Sequence, residues 1–318
     1  MIDAASVALC FVSRARFYEM VYAAGFAFAS AGWYLLFSAF CKDKNNCIRI
    51  FLGALFLALA VGCRPTMVFY SLLLIPYLIF RLKNKSLRDN IRPFLALAVP
   101  YVCVACVLMW YNYARFGSIL NFGQNYQLTV TDMARDSYKL STLPWCLWFG
   151  MFQPLNFSAV FPFITGGSAA NDYAGYFNTV SYVIPIFSGN PLLYMMFLPA
   201  VWRKWKQEKG TFATVMMGTI IGVGVVLAVL TFVSAGIHIR YTAEAVPVLL
   251  LGTLLLFLNY MNGQDMPIRK NMMTALFALT IFTVLTGFLM GIVGEREWIF
   301  TRHPEFYFAV ERAFCFWK

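Results

Sequence analysis

Four clusters of lysine and arginine interrupt this sequence, and each falls between apolar runs long enough to enter a lipid bilayer. They are Lys42/Lys44/Arg49, Arg81/Lys83/Lys85/Arg88/Arg92, Arg203/Lys204/Lys206/Lys209 and Arg269/Lys270. The segments joining the opposite ends of the runs are poorer in charge and rich in aromatic residues. Basic residues accumulate in the cytoplasmic loops of membrane proteins, so this alternation predicts a polytopic chain and fixes its orientation. The expected fold is all-α, a single transmembrane domain over residues 1–318.

Composition agrees. The chain is 61% hydrophobic and 12% charged, where a soluble domain would carry about a quarter charged residues. The net charge of +11 does not point to nucleic acid, because 14 of the 25 basic residues sit in the four clusters. Topology and anionic lipid account for them there. Two histidines, His238 and His303, are too few and too far apart for a metal motif. Cys103 and Cys106 spell CxxC, but inside the apolar run 99–110, where thiols act as small hydrophobes. Cys146 and Cys315 fall in outer segments, where an oxidising compartment would allow them to pair.

A bilayer core takes about 20 apolar residues as a helix. Eight runs qualify or nearly do: 20–40, 48–63, 66–80, 93–113, 182–202, 211–235, 245–262 and 272–293. The second and third are short and meet at Arg64-Pro65, reading as a helical hairpin bent near the outer interface, since proline disfavours helical geometry at the residue before it. With the basic clusters inside, the outer segments are 1–19, the Arg64 turn, a long stretch at 114–181, 234–244, and the tail from Gly294. The density of Trp, Phe and Tyr in 114–181 suits a loop lying against the membrane interface. The run 2–12 is apolar but only half a span, and reads as the outer half of a helix whose beginning is missing. The chain is therefore expected to be a carboxyl-terminal portion of a longer protein.

Ionisable residues beside the hydrocarbon are costly and raise a functional question. On the outer side these are Arg64, Arg115, Arg240 and Glu244, in the contexts Gly62-Cys-Arg-Pro-Thr66, Tyr111-Asn-Tyr-Ala-Arg-Phe-Gly117 and His238-Ile-Arg-Tyr-Thr-Ala-Glu244. An arginine there can hold a phosphate through paired, charge-assisted hydrogen bonds. Plainer readings stand beside this one. Arg115 follows a helix end and can snorkel into headgroups. Arg240 and Glu244 are spaced for an intrahelical ion pair. The segment 121–128 concentrates amides and rings: Asn121, Gln124 and Tyr126 suit sugar hydroxyls and pyranose faces, and equally an ordinary turn. Asp132, Asp136 and Asp172 form no paired acidic motif, and no nucleophile set or phosphate-binding glycine loop is present.

The stretches GCRPT, YNYARFGS, NFGQNYQLT and HIRYTAEAVPVLL resemble bacterial polytopic glycosyltransferases of the C-type superfamily. The nearest groups are the family 39-like proteins, related to protein O-mannosyltransferases and aminoarabinose transferase. The resemblance implies an enzyme of the bacterial cytoplasmic membrane that passes a sugar from a polyprenyl-phosphate carrier to an extracytoplasmic acceptor. Its partners would be membrane lipid, the lipid-linked sugar and that acceptor, with no further cofactor and no nucleic acid. The family's phosphate-gripping arginines map onto Arg64 and Arg240, with Arg115 and Tyr241 beside them, and the amide-rich segment and Glu244 are left for sugar or acceptor. The family's catalytic acid lies in its first outer loop. This sequence departs from the pattern there, since Asp3, the acid nearest its start, stands in no paired motif. No catalytic residue is therefore assigned. A transporter or flippase of lipid-linked sugars would also carry buried cations but should show an internal repeat, and the two halves show no convincing one. A non-catalytic membrane scaffold would tolerate loss of the outer arginines.

Overall fold

The computed structural model describes residues 17–41, 46–123, 126, 141, 143–166, 184–235, 237, 241–242, 244–294 and 296–316. It is helical, with one two-stranded hairpin among these residues. Among the described residues, five helices are long and apolar enough to cross a membrane: Met20–Phe40, Pro65–Asn84, Arg88–Phe116, Pro199–Val233 and Met266–Gly294. The chain divides into two compact units, Phe17–Tyr138 and the residues from Lys139 onwards.

The first unit holds α1 (Phe17–Cys41), α2 (Cys47–Cys63), a 3₁₀ stretch Pro65–Leu73 leading into α3 (Leu74–Asn84), and α4 (Leu87–Phe116). Successive segments alternate in direction. At one end Arg49 of α2 donates to Ser38 Oγ of α1 at 2.9 Å, and the Phe40 and Tyr77 rings stack at 3.5 Å between centroids. At the other end Arg64 meets Tyr22. Between these, α1 and α2 touch backbone to backbone at Gly32 and Gly53. A Cβ on either glycine would sit 2.9 Å from the other's carbonyl oxygen. Small residues are what permit such an approach between membrane helices.

Local sequence sets the ends. Asn46 caps α2 by accepting from the Arg49 N–H, and Ser86 caps α4 by accepting from Asp89. Gly117, at φ 69°, closes α4 in the left-handed conformation. The 3₁₀ stretch buries Met67, Tyr70 and Leu73, one residue in three, which is the stripe that three residues per turn produces. α2 has 17 residues, about 25 Å, less than a 30 Å hydrocarbon core.

The second unit opens with α5 (Leu143–Leu147), a π-helical turn Trp148–Phe152, and a hairpin of β1 (Asn156–Phe157) and β2 (Ile164–Gly166). These lie in the stretch 114–181 expected to form a membrane-apposed loop, nearly half of which is outside the described residues. Then come α6 (Ile186–Gly189), a second 3₁₀ stretch Pro191–Phe197, α7 (Pro199–Ala235), α8 (Val246–Asn262), α9 (Met266–Gly294), α10 (Arg296–Arg302) and α11 (Pro304–Phe314). The expected continuous span over 182–202 is instead divided among α6, the 3₁₀ stretch and the first turn of α7. Pro185, Pro191 and Pro199 each open one of them, and a proline lacks the N–H and sterically blocks the turn before it. The expected boundary at residue 211 corresponds to a break at Gly210 (φ 82°, ψ 178°) inside α7. Gly224 and Gly252 let α7 and α8 close up, since a Cβ on the first would reach Leu249 and on the second Ile221.

Candidate functional site

In the first unit, Arg64 sits at the junction of α2 and the 3₁₀ stretch. Pro65 forces it into an extended conformation (φ −148°, ψ 127°), as the sequence requires. Its backbone joins both segments, the N–H donating to Ala60 O at 3.0 Å and the carbonyl accepting from Met67 N at 3.0 Å. The half-buried side chain lies over the Tyr22 ring, with Cζ 3.8 Å from the ring centroid. Gly25 makes this approach possible: a Cβ there would come within 3.1 Å of Met67 Cε and 3.4 Å of Cys63 Cβ. The N–H groups of a guanidinium lie in its plane, in a fork suited to an oxyanion.

Arg115 occupies the same end of this unit in a different setting. It is exposed in the last turn of α4, donates from Nη1 to Tyr111 Oη at 2.6 Å, and lies 5.2 Å from the Phe116 ring centroid. Its guanidinium is thus held by aromatics of its own helix. Leu108 is the α4 residue nearest Gly62, and Arg115 lies two turns beyond it, about 10 Å further along the helix. Asn121 is in a turn, its Oδ1 accepting from Gly123 N at 2.9 Å, with Gly123 at φ 79° beneath the Phe116 ring. The Tyr126 ring stacks on Phe116 at 5.4 Å. Asn121 thus uses its acceptor to build the turn. Gln124 lies outside the described residues.

In the second unit, Glu244 is 1% exposed, beside Thr242, also 1% exposed, and half-buried Tyr241. Glu244 stands next to Ala245, the N-cap of α8, where an acidic side chain suits the helix's amino-terminal dipole. Arg240, with which an ion pair or a shared phosphate was expected, lies outside the described residues, as do His238, Asp3, Asp132, Asp136 and Asp172.

Two basic residues read from sequence as topological charge prove to be structural. Arg81 is 8% exposed and donates to Asn90 Oδ1 at 2.6 Å, Tyr77 Oη at 2.9 Å and Asp89 O at 3.3 Å, while Asn90 Nδ2 donates to Lys85 O. This ties the turn between α3 and α4. Lys204 donates to Tyr260 O at 3.2 Å near the carboxyl end of α8 and pairs with Glu208 at 3.5 Å. Cys146 and Cys315 are both buried, and Cys103 and Cys106 are exposed on α4. No cluster of three metal-ligating side chains exists among the described residues.

Tyr22 is the site residue that the sequence reading missed. Its only linear signal is a tyrosine one turn before Gly25 at the start of the first span. Compared with family models, curated proteins and solved structures, the chain matches none.

Proposed function

We propose that this chain belongs to a membrane glycosyltransferase that moves a sugar from a polyprenyl-phosphate carrier to an extracytoplasmic acceptor. One observation carries the reading. Arg64 is held against Tyr22 at a helix break, at the end of its unit away from Arg49 and Arg81. A cation fixed there, beside the hydrocarbon and away from the topological charges, suits the phosphate of a lipid carrier. The motif resemblance supplies the reaction.

In that reaction an acceptor hydroxyl attacks the anomeric carbon and gives its proton to a carboxylate base. The bond from that carbon to the phosphate oxygen breaks, and its electron pair leaves with the polyprenyl phosphate. Inversion at the anomeric carbon follows. Arg64 stabilises the charge gathering on the departing phosphate, as a preorganised cation does in such displacements. The resemblance assigns Arg240 and Tyr241 to the carrier phosphate as well, and Arg115 to lipid headgroups. No residue is assigned as the base.

The test follows a labelled lipid-linked sugar in membranes carrying the intact protein. Arg64→Ala should cut sugar transfer by at least tenfold, with Arg64→Lys intermediate. Transfer unaltered by Arg64→Ala sinks the assignment. Movement of the intact lipid-linked sugar across the bilayer, with no glycosidic bond made, would assign a transporter instead.

A further inference from the structure

The carboxyl-terminal helix α11 is the last described element, and its contacts place it at an unexpected depth. Phe314, on its last turn, stacks on Phe288 of α9 at 6.2 Å between ring centroids. Phe288 lies six residues before the end of α9 at Gly294, about 9 Å inside that end. Helical side chains lean toward their own amino terminus, so the Phe288 ring lies deeper still. Tyr307 packs at the outer end of the same cluster with Ile292 and Ile299, and Phe161 touches both Tyr307 and Phe314. The chain therefore leaves the span at Gly294, turns through α10, and descends again beside it.

The face turned away from this cluster is apolar where it is deepest. Ala313 is exposed and Phe316 is 84% exposed, while Phe306, on the same side as Ala313, is 53% exposed. Arg312 is the charged residue of this lower face, and its Nε donates to Phe308 O at 3.2 Å, one turn back toward the outer end. That direction is the one a cation takes when it snorkels away from hydrocarbon. On α9 the exposed stripe Phe277, Ile281 and Leu285 faces lipid if the helix spans, so the lower face of α11 continues a surface already exposed to acyl chains.

From this geometry we infer that α11 is a re-entrant amphipathic helix. Its carboxyl-terminal half is immersed in the leaflet at the end of α9 away from Arg269 and Lys270, and its exposed face is covered by phospholipid. Pro304 and Glu305 stand at the headgroup level, Ala313 and Phe316 among acyl chains.

Photocrosslinking of the full chain in nanodiscs of phosphatidylethanolamine and phosphatidylglycerol tests this. p-Benzoylphenylalanine is placed singly at Phe316, Ala313 and Glu305, all exposed positions whose replacement leaves the packed cluster intact. The same group at Phe277, 67% exposed in mid-span, calibrates the lipid yield. Intact-phospholipid adducts at Phe316 and Ala313 approaching the Phe277 yield, with at least fivefold less at Glu305, are expected. Adducts to a second copy or another protein at Phe316 and Ala313, or lipid yields there no higher than at Glu305, would overturn the inference.

Discussion

The Arg64 guanidinium lies 3.8 Å from the centre of the Tyr22 ring, joining the start of α1 to the end of α2. A cation over an aromatic face contributes roughly 0.5 to 2 kcal/mol, more as water is excluded. Tyr22 is only 3% exposed, so the upper part of that range applies. Tyr22→Leu should therefore weaken the unit, and Tyr22→Phe should keep most of the effect. Because Tyr22 also packs, the clean measure is a double-mutant cycle with Arg64→Met in detergent-micelle unfolding. A coupling of about 1 to 2 kcal/mol is expected. Additive effects of the two changes would mean that the ring does not hold the guanidinium.

The glycine contact between α1 and α2 makes a sterically sharp prediction. A Cβ at Gly53 would meet Leu36 Cγ at 2.7 Å and Gly32 O at 2.9 Å, and the second of these is backbone that cannot turn aside. Gly53→Ala should push the helices apart and cost about 1 to 3 kcal/mol, the range for overpacking a fitted interface. Gly218→Ala is the contrast, since nothing lies within 4 Å of its added carbon. That change should be neutral or stabilising by up to about 1 kcal/mol, through helix propensity. Equal losses in both variants, read by denaturant titration, would refute a specific contact at Gly53.

Arg81 separates a structural role from a topological one. Replacing it with Met leaves Asn90, 0% exposed, without the donor to its Oδ1, and a stranded buried acceptor costs about 1 to 3 kcal/mol. Arg81→Lys should not restore stability, because one ammonium cannot span Asn90, Tyr77 and the Asp89 carbonyl in the same plane. Membrane orientation should persist in both variants, since Lys83, Lys85, Arg88 and Arg92 remain in the cluster. Reporter fusions at Asn84 and Gly117 check the orientation, and thermal melting checks the stability. An inverted topology with unchanged melting would reverse the assignment.

Lys204 and Gly263 form a matched pair. An added Cβ at Gly263 would collide with the Lys204 ammonium, which here donates to Tyr260 O near the carboxyl end of α8. Cations at that end of a helix contribute about 0.3 to 1 kcal/mol. Gly263→Ala and Lys204→Met should therefore lower the melting temperature by similar amounts, and the double variant by little more than either. Strictly additive losses would show that Gly263 serves some other purpose.

Much of the helical pattern was legible because it rests on local signals. Pro65 dictated the extended Arg64, and Gly210 broke α7 where the apolar run was expected to begin. The span over 182–202 misled because hydropathy measures only the preference for lipid. Pro185, Pro191 and Pro199 decide instead whether the backbone can remain one helix, and they divide it. Arg81 looked like any other member of a basic cluster, since its burial depends on Asn90 folding back across a turn. The Arg64 site was half legible. Its cation stood out in the sequence, but Tyr22 is brought to it by the closeness of two helices at Gly25, which no linear spacing records.

The nine residues Pro65–Leu73 are wound as a 3₁₀ helix, and their winding has a rotational consequence for Arg64. A 3₁₀ turn advances about 120° per residue and an α turn about 100°, so nine residues accumulate a difference of about 180°. Rewound as α-helix, the same stretch would be about 4.5 Å shorter and would present its Arg64 end on the opposite side of its axis relative to Arg81. The pitch of this one segment is therefore the dial that sets which way the outer cation faces, while Arg81 anchors the far end of the shaft.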